Sequence, residues 1–402
     1  MTPAPDNLLP VEEAQARLLA LATPLAIEQA DFLSAHGRLL AEPLAALRDQ
    51  PWADLSAMDG YAIRHADLPG PWRLIGESRA GGSPPTTPLA SGEVMRIFTG
   101  APMPQGADSV LVQEEATADG AQVRLSGEGP DTPGRNIRPR ASDFAIGMPL
   151  LEAGSRIGPA QIALAAMAGH ATLPVRRRPR VAIIGTGDEL MPIGQPLGPG
   201  QIPASNNIML AALLTEAGVD VIDLGLFPDD LGSITAAFRA ATTADIILST
   251  GGASVGDHDL VAPAILAAGG TLDFWRIAMR PGKPLMAGRL GDAFIIGLPG
   301  NPVSAFVGAT LFLLPLVRLL GGSPAPLPRW EELPTAVALP QGGIRAEYLR
   351  AIVRDGTVTG VTSRDSAGLR ALAASNALIE RPLGAPPARP GDRVKVLRLG
   401  KS

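Results

Sequence analysis

Short apolar runs alternate with helical patterns through the middle of the chain, from Val181 to Gly321. Apolar runs of strand length, separated by helices, indicate a parallel sheet that helices cover on both faces. The pattern therefore predicts a doubly wound α/β domain. Each predicted strand ends in a polar, glycine-rich junction, and the four runs are Val181–Ile184, Asp245–Leu248, Trp275–Met279 and Phe294–Ile296.

Helical periodicity between these runs predicts the covering helices. Gly218 follows the first of them and provides a stop signal. Pro315 lies inside the last, a long apolar segment, and we expect it to kink or split that helix. The predicted helices are Asn206–Ala217, a helix that ends near Thr242, Leu260–Ala268 and Pro302–Leu320.

The flanking segments follow other patterns. Three stretches before the α/β block have helical periodicity: Val11–Ala20, Ala30–Ala41 and Gly158–Met167. Between the last two, short β-like runs are separated by Gly, Pro and Asp clusters, as in a small all-β module. The runs are Trp72–Ile75, Val94–Phe98, Ser109–Val112 and Gln122–Leu125, and a second β module contains Tyr348–Val353, Thr357–Val361 and Arg393–Leu397.

These patterns predict a multidomain α/β and β protein with four domains. A chain of 402 residues is too long for one ordinary core, and 46% hydrophobic residues supply several cores. The predicted domains are a helical linker domain (residues 1–48 with 146–178), an inserted β domain (49–145), the central α/β domain (179–325) and a C-terminal β-barrel-like domain (326–402).

Composition and charge exclude several classes of protein. The chain has no cysteine, which excludes disulfides and thiolate metal sites. Its formal net charge is −5 and its one basic tract is Arg176–Arg178, so no nucleic-acid partner is expected. Met1–Pro10 lacks a basic start followed by an apolar run, and no stretch reads as long and apolar enough to span a bilayer. We expect a cytoplasmic protein without a membrane partner.

The junctions of the predicted parallel sheet carry the candidate chemistry. Ligands bind where the carboxyl ends of parallel strands converge, and that edge would collect Asp188, Glu189, Asp259 and Lys283 with several glycine backbones. Carboxylates beside one lysine suit a metal ion that holds a phosphate or another oxyanion. Ordinary turns with solvated charges would explain any one junction, but four junctions on one edge favour a binding site.

Other motifs are ambiguous on their own. Asp59 within Ser56–Ala62, Thr99 at the end of a predicted strand, and Arg138 with Asp143 each fit a solvated turn as well as a site. The four histidines lack ligand spacing, so a histidine metal site is not expected. No Walker A motif is present, which leaves P-loop NTPases without their signature.

Taken together, the motifs resemble a known family over nearly the whole chain. The chain is similar to the molybdopterin molybdotransferases of the MoeA type, which include the gephyrin E domain. The segments that carry the resemblance are Ser56–Ala62, Arg96–Ala101, Gly185–Leu190, Gly251–Asp259, Pro281–Pro284 and Gly297–Ala305.

The resemblance implies a central molybdopterin-binding domain of the MogA-like type and an elongated homodimer whose two subunits both contribute to the active-site cleft. It implies an enzyme that inserts molybdate into adenylylated molybdopterin in the presence of Mg²⁺ and releases AMP and the molybdenum cofactor. Molybdopterin adenylyltransferase and molybdoenzyme-delivery proteins are implied as further partners. Two alternatives stay open, a molybdopterin adenylyltransferase and a gephyrin-like scaffold without activity.

The resemblance also transfers roles to residues. This sequence departs from the family pattern at two places. Pro139–Ser142 stands where the family usually has Gly-Glu before the aspartate that matches Asp143, and Ala253 stands where a valine is usual. The implied metal ligands are Glu189 and Asp259. The implied catalytic residues are Asp59, Thr99, Asp143, Glu189, Asp229 and Asp259, and the implied binding residues are Arg138, Gly251, Gly252, Ser254, Gly256, Arg280, Lys283, Pro284, Pro299, Asn301, Pro302, Arg350 and Ser375.

Overall fold

The structure is a computed structural model, which describes residues 8–252, 259–361, 365 and 367–400. The chain forms two compact units, one from residues up to 28 and from 176 onward, the other from residues 29–175. Its α-helices are α1 Val11–Ala20, α2 Phe32–Ala35, α3 Pro159–Met167, α4 Ser205–Glu216, α5 Leu231–Ala240, α6 Val261–Ala267, α7 Pro302–Gly308, α8 Leu314–Leu320 and α9 Leu369–Ala373.

Strands are numbered in the same way. They are β1 Ile27–Ala30, β2 Leu44–Ala45, β3 Leu55–Ser56, β4 Gly60–Ile63, β5 Trp72–Ser78, β6 Glu93–Ile97, β7 Ser109–Val112, β8 Ala116–Asp119, β9 Gln122–Leu125, β10 Ile137–Arg138, β11 Pro149–Leu151, β12 Leu173–Arg176, β13 Arg180–Thr186, β14 Leu190–Met191, β15 Ile202–Pro203, β16 Asp220–Phe227, β17 Ile246–Thr250, β18 Thr271–Trp275, β19 Met279–Arg280, β20 Met286–Leu290, β21 Ala293–Leu298, β22 Glu331–Pro334, β23 Ala346–Arg354, β24 Thr357–Gly360, β25 Ala377–Arg381 and β26 Arg393–Arg398.

The first unit is built on a six-stranded sheet in the order β16-β13-β17-β21-β20-β18. Its first four strands are parallel, and Thr250 lies opposite both Gly185 of β13 and Leu298 of β21. Their carboxyl ends therefore finish at one level. β20 runs antiparallel and begins at Met286 opposite Gly297, so the loop before β20 reaches the same edge.

Helices cover both faces of this sheet, as the apolar runs predict. Val181 and Ile183 pack into a core that includes residues of α1, α4, α7 and α8, whereas Ala182 and Ile184 pack with α5 and α6. Successive residues of a strand point to opposite faces, so an uninterrupted apolar run requires apolar cover on both sides. The predicted α/β domain is confirmed.

One predicted strand is wrong. The run Trp275–Met279 is not a parallel strand, because β18 ends at Trp275 and Arg276 has a φ of +84°. β18 pairs antiparallel with β20, and Met279 and Arg280 pair with Ala346 and Glu347 of β23. The sheet is therefore mixed, because β18 and β20 are antiparallel at one of its sides. After β18 the chain continues directly into β19 of the C-terminal sheet.

The segment Pro302–Leu320 is one continuous apolar helix with a π-helical turn, Ala309–Leu313, immediately before Pro315. The wider turn accommodates the proline, which has no N–H and whose ring would clash with an α-helical carbonyl. By length and by its mean hydropathy of 2.0 this helix could cross a membrane, so the expectation that no stretch is long and apolar enough is wrong. Within the 18-residue apolar stretch of this helix, 78% is buried inside the protein, so it is a core helix.

The C-terminal sheet has the order β19-β23-β25-β26-β22, with β24 paired to β23. Its core contains Val353, Val358, Ile379 and Val396. The three β runs predicted for this module are confirmed. The second unit contains a sheet in the order β7-β4-β6-β5-β9-β8, which confirms the four β runs predicted there.

The helix predicted over Ala30–Ala41 is wrong except for α2. Asp31 begins α2 by accepting hydrogen bonds from the backbone N–H groups of Leu33 and Ser34. Gly37 then adopts a φ of +80°, and Leu40 forms an antiparallel bridge with Val175. Tertiary pairing of this segment overrides its helical periodicity. The helix predicted over Gly158–Met167 is confirmed as α3, and the four predicted domain boundaries stay a prediction.

Candidate active site

The candidate site of the first unit lies where the parallel strands end. Asp229 follows β16, Glu189 follows β13, Gly251 follows β17 and Asn301 follows β21. Lys283 precedes β20, whose first residue lies at the same edge. Sheet register therefore places residues that are far apart in the sequence along one edge of the sheet.

Two glycines allow the loops to approach each other closely. Gly251 has a φ of +97°, and a Cβ there would lie 2.1 Å from the carbonyl oxygen of Thr186. Gly252 has a φ of +54°, and a Cβ would lie 2.9 Å from Val261. Any side chain at Gly251 would separate the loop from the end of β13. Ser254 and Gly256, predicted in the same loop, lie outside the described residues.

Asn206, at the start of α4, fastens two of these loops together. Its Nδ2 donates to Thr250 Oγ1 at 3.0 Å and to the carbonyl oxygen of Gly300 at 2.7 Å. Four buried polar atoms around this edge find no hydrogen-bond partner within the described ranges, which is unusual in a folded core and is typical of a ligand site. They are Thr186 Oγ1, Asn206 Oδ1, Asn207 Oδ1 and Ser249 Oγ.

Carboxylates gather around Asp229. Its backbone N–H donates to Asp188 Oδ1 at 3.0 Å. Partial desolvation raises the pKa of the Asp229 carboxyl, and the negative charges of Asp188, Glu189 and Asp259 raise it further. A group of like charges favours a cation at this place. In the part of the chain that the structure describes, no three Asp, Glu or His side chains are close enough to hold a metal ion unaided.

Basic residues line a cavity of about 290 Å³ further along the edge. Arg280 ends β19 and Lys283 lies in the loop before β20, whereas Arg345 immediately precedes β23 and Arg350 lies in its middle. The predicted residues Pro284, Pro299 and Asn301 also line the cavity. Four cations around one small cavity suit an oxyanion or a phosphate.

The cationic side chains are held in different ways. Arg350 is 5% exposed, its Nη1 donates to the carbonyl oxygen of Gly368 at 2.8 Å, and burial lowers the pKa of its guanidinium. Arg280 is about half exposed, and its Nη1 lies 3.5 Å from Glu347 Oε1. Gly282 has a φ of +104° in the loop that carries Arg280 and Lys283.

Two further predicted residues lie at helix ends. Pro302 is the first residue of α7, where a missing N–H costs nothing. The hydroxyl of Ser375 donates to the carbonyl oxygen of Ala371 at 2.7 Å, and Ser375 is not among the residues that line the cavity. A role for Ser375 stays a prediction.

In the second unit, Asp59 and Thr99 form a close pair. Asp59 Oδ1 accepts from the Thr99 backbone N–H at 2.7 Å and from Thr99 Oγ1 at 2.8 Å. These two hydrogen bonds hold the pKa of Asp59 below its ordinary value, with a smaller contribution from the charge of Arg96. Both residues are exposed, so the ionised carboxylate faces solvent.

The other two residues predicted in this unit lie on the neighbouring segment. Arg138 is in β10, where it pairs with Leu55 of β3. The backbone N–H of Asp143 donates to the carbonyl oxygen of Gln50 at 2.9 Å. The predicted segments around Asp59 and Arg138 are therefore neighbours, because the Ala57 N–H donates to the carbonyl oxygen of Asn136 at 2.8 Å.

Comparison with known sequences identifies the family. Residues 9–169 match the MoeA N-terminal region (domain I and II), residues 182–319 a probable molybdopterin binding domain, and residues 332–399 the MoeA C-terminal region (domain IV). A molybdopterin molybdenumtransferase of Nostoc sp. is 36% identical over 396 residues, covering 92% of this chain and 88% of that protein. The chain belongs to the MoeA family.

Further relatives agree with this assignment to the MoeA family. A molybdopterin molybdenumtransferase of Haemophilus influenzae is 37% identical over 319 residues, which are 78% of each chain. Two crystal structures of the molybdopterin biosynthesis MoeA protein of Pyrococcus horikoshii match with TM-scores of 0.85 and 0.79 at 28% identity. Both cover 98% of this chain and all of the other. The predicted multidomain MoeA fold is confirmed.

Sequence reasoning missed several residues of this MoeA site. Arg345 and Glu347 line the basic cavity, and Asn206 joins two loops of the edge. The strand pattern around Tyr348 indicated β structure but gave no sign that this strand lies against the α/β domain. Asn206 read as part of a helix, and its position at the first turn of α4 was the available signal.

The Asp59–Thr99 pair can be tested with Thr99→Val, which removes the hydroxyl and keeps both shape and backbone N–H. We expect the pKa of Asp59 to rise towards the ordinary aspartate value, because one of two hydrogen bonds is lost. Since the folded pKa is depressed, Asp59 stabilises the fold above its unfolded pKa, and this stabilisation disappears as pH falls through the folded pKa. The stability lost by the variant should therefore be largest at neutral pH.

Carboxyl-carbon NMR titration of Asp59 measures this shift. Thr117→Val is the matched control, because Thr117 is exposed on β8 of the same sheet. An unchanged Asp59 titration in Thr99→Val would show that the hydroxyl does not hold the carboxylate.

Proposed function

We propose that this chain catalyses the reaction of its family, in which molybdate is inserted into adenylylated molybdopterin and AMP is released. The observation that carries the proposal is the division of charge along one sheet edge. Carboxylates surround Asp229, and four basic side chains line the adjoining part of the edge. A substrate with a phosphoanhydride and an oxyanion co-substrate require both kinds of group.

The basic cavity is the proposed oxyanion site. Molybdate is a doubly charged tetrahedral oxyanion, and Lys283 with Arg280 and Arg350 can donate several charge-assisted hydrogen bonds to it. The Gly251 N–H donates to the carbonyl oxygen of Leu298 at 3.3 Å, and the backbone N–H groups that follow it in this glycine-rich loop are proposed to bind a phosphate. The hydroxyl of Ser249, which has no hydrogen-bond partner among the described residues, lies near the end of the same strand, β17. Asp59 and Thr99 are proposed to act from the partner subunit, with Arg138 and Asp143 beside them.

Mg²⁺ fits the acidic part of the edge. It accepts one or two carboxylates and completes its coordination with water and substrate phosphates, so a site without three clustered protein ligands suits it. Burial raises the pKa of Asp229 most, the charges of Asp188, Glu189 and Asp259 raise it further, and a bound cation would offset that repulsion. Glu189 and Asp259 are the residues proposed to hold the ion. When bound, it would neutralise charge on the phosphates as the anhydride is cleaved.

Lys283→Ala tests the oxyanion site. A hydrogen bond to a charged group contributes about 1.5–3 kcal/mol, so we expect the molybdate concentration for half-saturation to rise at least about tenfold. The measurement is the rate of AMP release from adenylylated molybdopterin as molybdate is varied. Lys395→Ala is the control, since Lys395 lies 3.3 Å from Glu380 and is not among the lining residues. Unchanged half-saturation in Lys283→Ala would count against the proposal.

Asp259→Ala tests the metal site. We expect a normally folded protein whose rate of molybdate insertion falls by roughly 100-fold, because one proposed ligand of Mg²⁺ is missing. AMP release should be followed over a titration of Mg²⁺, with circular dichroism as a check of folding. The matched control is Asp292→Ala, in the exposed turn between β20 and β21. A variant with full cofactor synthesis would refute the role of Asp259.

The same assay separates the two alternatives. A molybdopterin adenylyltransferase would consume ATP and molybdopterin and would release pyrophosphate rather than AMP. A gephyrin-like scaffold would do neither. The flanking β modules and the complete set of acids with Lys283 favour the molybdotransferase. We also propose a cytoplasmic location, with a molybdopterin adenylyltransferase supplying the substrate and delivery proteins accepting the product.

A homodimer is proposed as the active form. Leu47, Ile146, Met148 and Met167 are 46–66% exposed although they are large and apolar. They lie on adjacent segments, because the Ala46 N–H donates to the Met148 carbonyl and the Leu47 N–H to the Ala168 carbonyl, both at 2.9 Å. An exposed apolar patch of this kind is typical of an interface, and we assign its cover to a second copy of the chain.

Ile146→Glu tests the assignment. A charge in the centre of an apolar interface is costly to bury, so the molar mass from light scattering should fall from that of two chains to that of one. Leu266→Glu is the control, because Leu266 is 58% exposed on α6. A wild-type protein that is monomeric, or an Ile146→Glu variant that stays dimeric, would contradict the proposal.

A further inference from the structure

Two acids, Glu347 and Asp365, line the cavity beside its four cations, and Glu347 is the buried one. Glu347 is 8% exposed, and it lines the same cavity as the cations. These are Arg280, Lys283, Arg345 and Arg350. A buried carboxylate beside an anion site weakens anion binding by simple repulsion, and burying it is costly unless it is paired. Its presence therefore requires a contribution that outweighs this repulsion.

The contact with Arg280 provides that contribution. Glu347 Oε1 lies 3.5 Å from Arg280 Nη1, and the two residues are direct partners in the parallel pairing of β19 with β23. The Ala346 N–H donates to the carbonyl oxygen of Ala278 at 3.0 Å, which fixes the register. Backbone pairing thus places the carboxylate beside a guanidinium whose side chain is 47% exposed.

Arg381 lies on the other side of Glu347 in the C-terminal sheet. Arg381 of β25 is its register partner, and Arg381 is 6% exposed. The Arg381 Nη2 donates to the carbonyl oxygen of Pro340 at 3.1 Å and to that of Pro386. The charge of Glu347 raises the pKa of Arg381 against the larger lowering by burial. The carboxylate therefore stands between a fixed guanidinium and a half-exposed one.

We propose that Glu347 is a positioning residue, which holds the Arg280 guanidinium in the cavity so that its other N–H groups bind the oxyanion. A guanidinium has five N–H donors in a rigid plane, and a contact at Nη1 leaves the rest of the fork to a ligand. If the long Arg280 side chain is already ordered before the ligand binds, less conformational entropy is lost on binding. The inference rests on the proposed oxyanion site.

Glu347→Gln separates positioning from repulsion by the sign of its effect. If the acid acted only through its charge, its removal would tighten molybdate binding. If it positions Arg280, we expect the dissociation constant for molybdate alone, measured by calorimetry on the full chain, to rise about fivefold to tenfold. The rate of AMP release at saturating molybdate should stay within about twofold, because the effect lies in binding.

A double variant shows whether the effect acts through Arg280. In an Arg280→Ala background, Glu347→Gln should change the dissociation constant by less than about twofold. Glu380→Gln is the matched control, because Glu380 is equally buried on the adjacent β25, contacts Tyr348 and Lys395, and does not line the cavity. It should leave molybdate binding unchanged.

Glu347→Asp keeps the charge and shortens the reach, and it carries the test if Glu347→Gln does not fold. It should weaken molybdate binding about threefold, and this loss should also vanish in the Arg280→Ala background. Tighter or unchanged binding in both Glu347 variants, or a loss that persists without Arg280, would overturn the inference alone. A wild-type protein that binds no molybdate would overturn the proposed oxyanion site together with it.

Discussion

The common level at which four parallel strands end is the constraint on which the rest of this structure depends. Thr250 lies opposite Gly185 on one side and Leu298 on the other, so the loops after β13, β17 and β21 begin side by side. The contact of Gly251 with the Thr186 carbonyl shows how tightly these loops are packed, since a Cβ would lie 2.1 Å from that oxygen. Residues separated by more than a hundred positions thereby share one edge.

Most of the charge along this edge is separated by strand, and the exceptions are the buried Glu347 and the exposed Asp365 in the cationic cavity. Acids follow β16, β13 and β17, whereas the cations lie in β19, in the loop before β20, and in or immediately before β23. Such sorting keeps like charges together, which is unfavourable in an unliganded protein and becomes favourable when a ligand supplies the opposite charge. The raised pKa of Asp229 is consistent with this cost, because the charges of Asp188, Glu189 and Asp259 add to the larger effect of burial.

Much of this arrangement could be predicted from the sequence, because buried parallel strands leave a strong signal. The runs at Val181 and Phe294 are apolar on both faces, and their glycine-rich ends identified the edge. The single strand predicted over Trp275–Met279 was wrong because an apolar run does not reveal that the chain passes from one sheet to another. This change occurs at Arg276, whose φ is positive. Ala30–Ala41 failed for a related reason, since its last residues pair with distant segments. The position of Glu347 depends on the same kind of long-range pairing and left no local pattern.

The pairing of β19 with β23 has a consequence for how the basic cavity is formed. Arg280 and Lys283 belong to the α/β part of the chain, whereas Arg345, Glu347 and Arg350 belong to the C-terminal module. Neither set would enclose the cavity without the other, and the two-residue strand β19 is the backbone link between them. Tyr348 and Leu378 join the core under the α/β sheet, so the C-terminal module is also anchored by apolar contacts. The C-terminal module therefore supplies half of the cationic lining as well as stability, which is a physical reason for its presence beside a complete α/β domain.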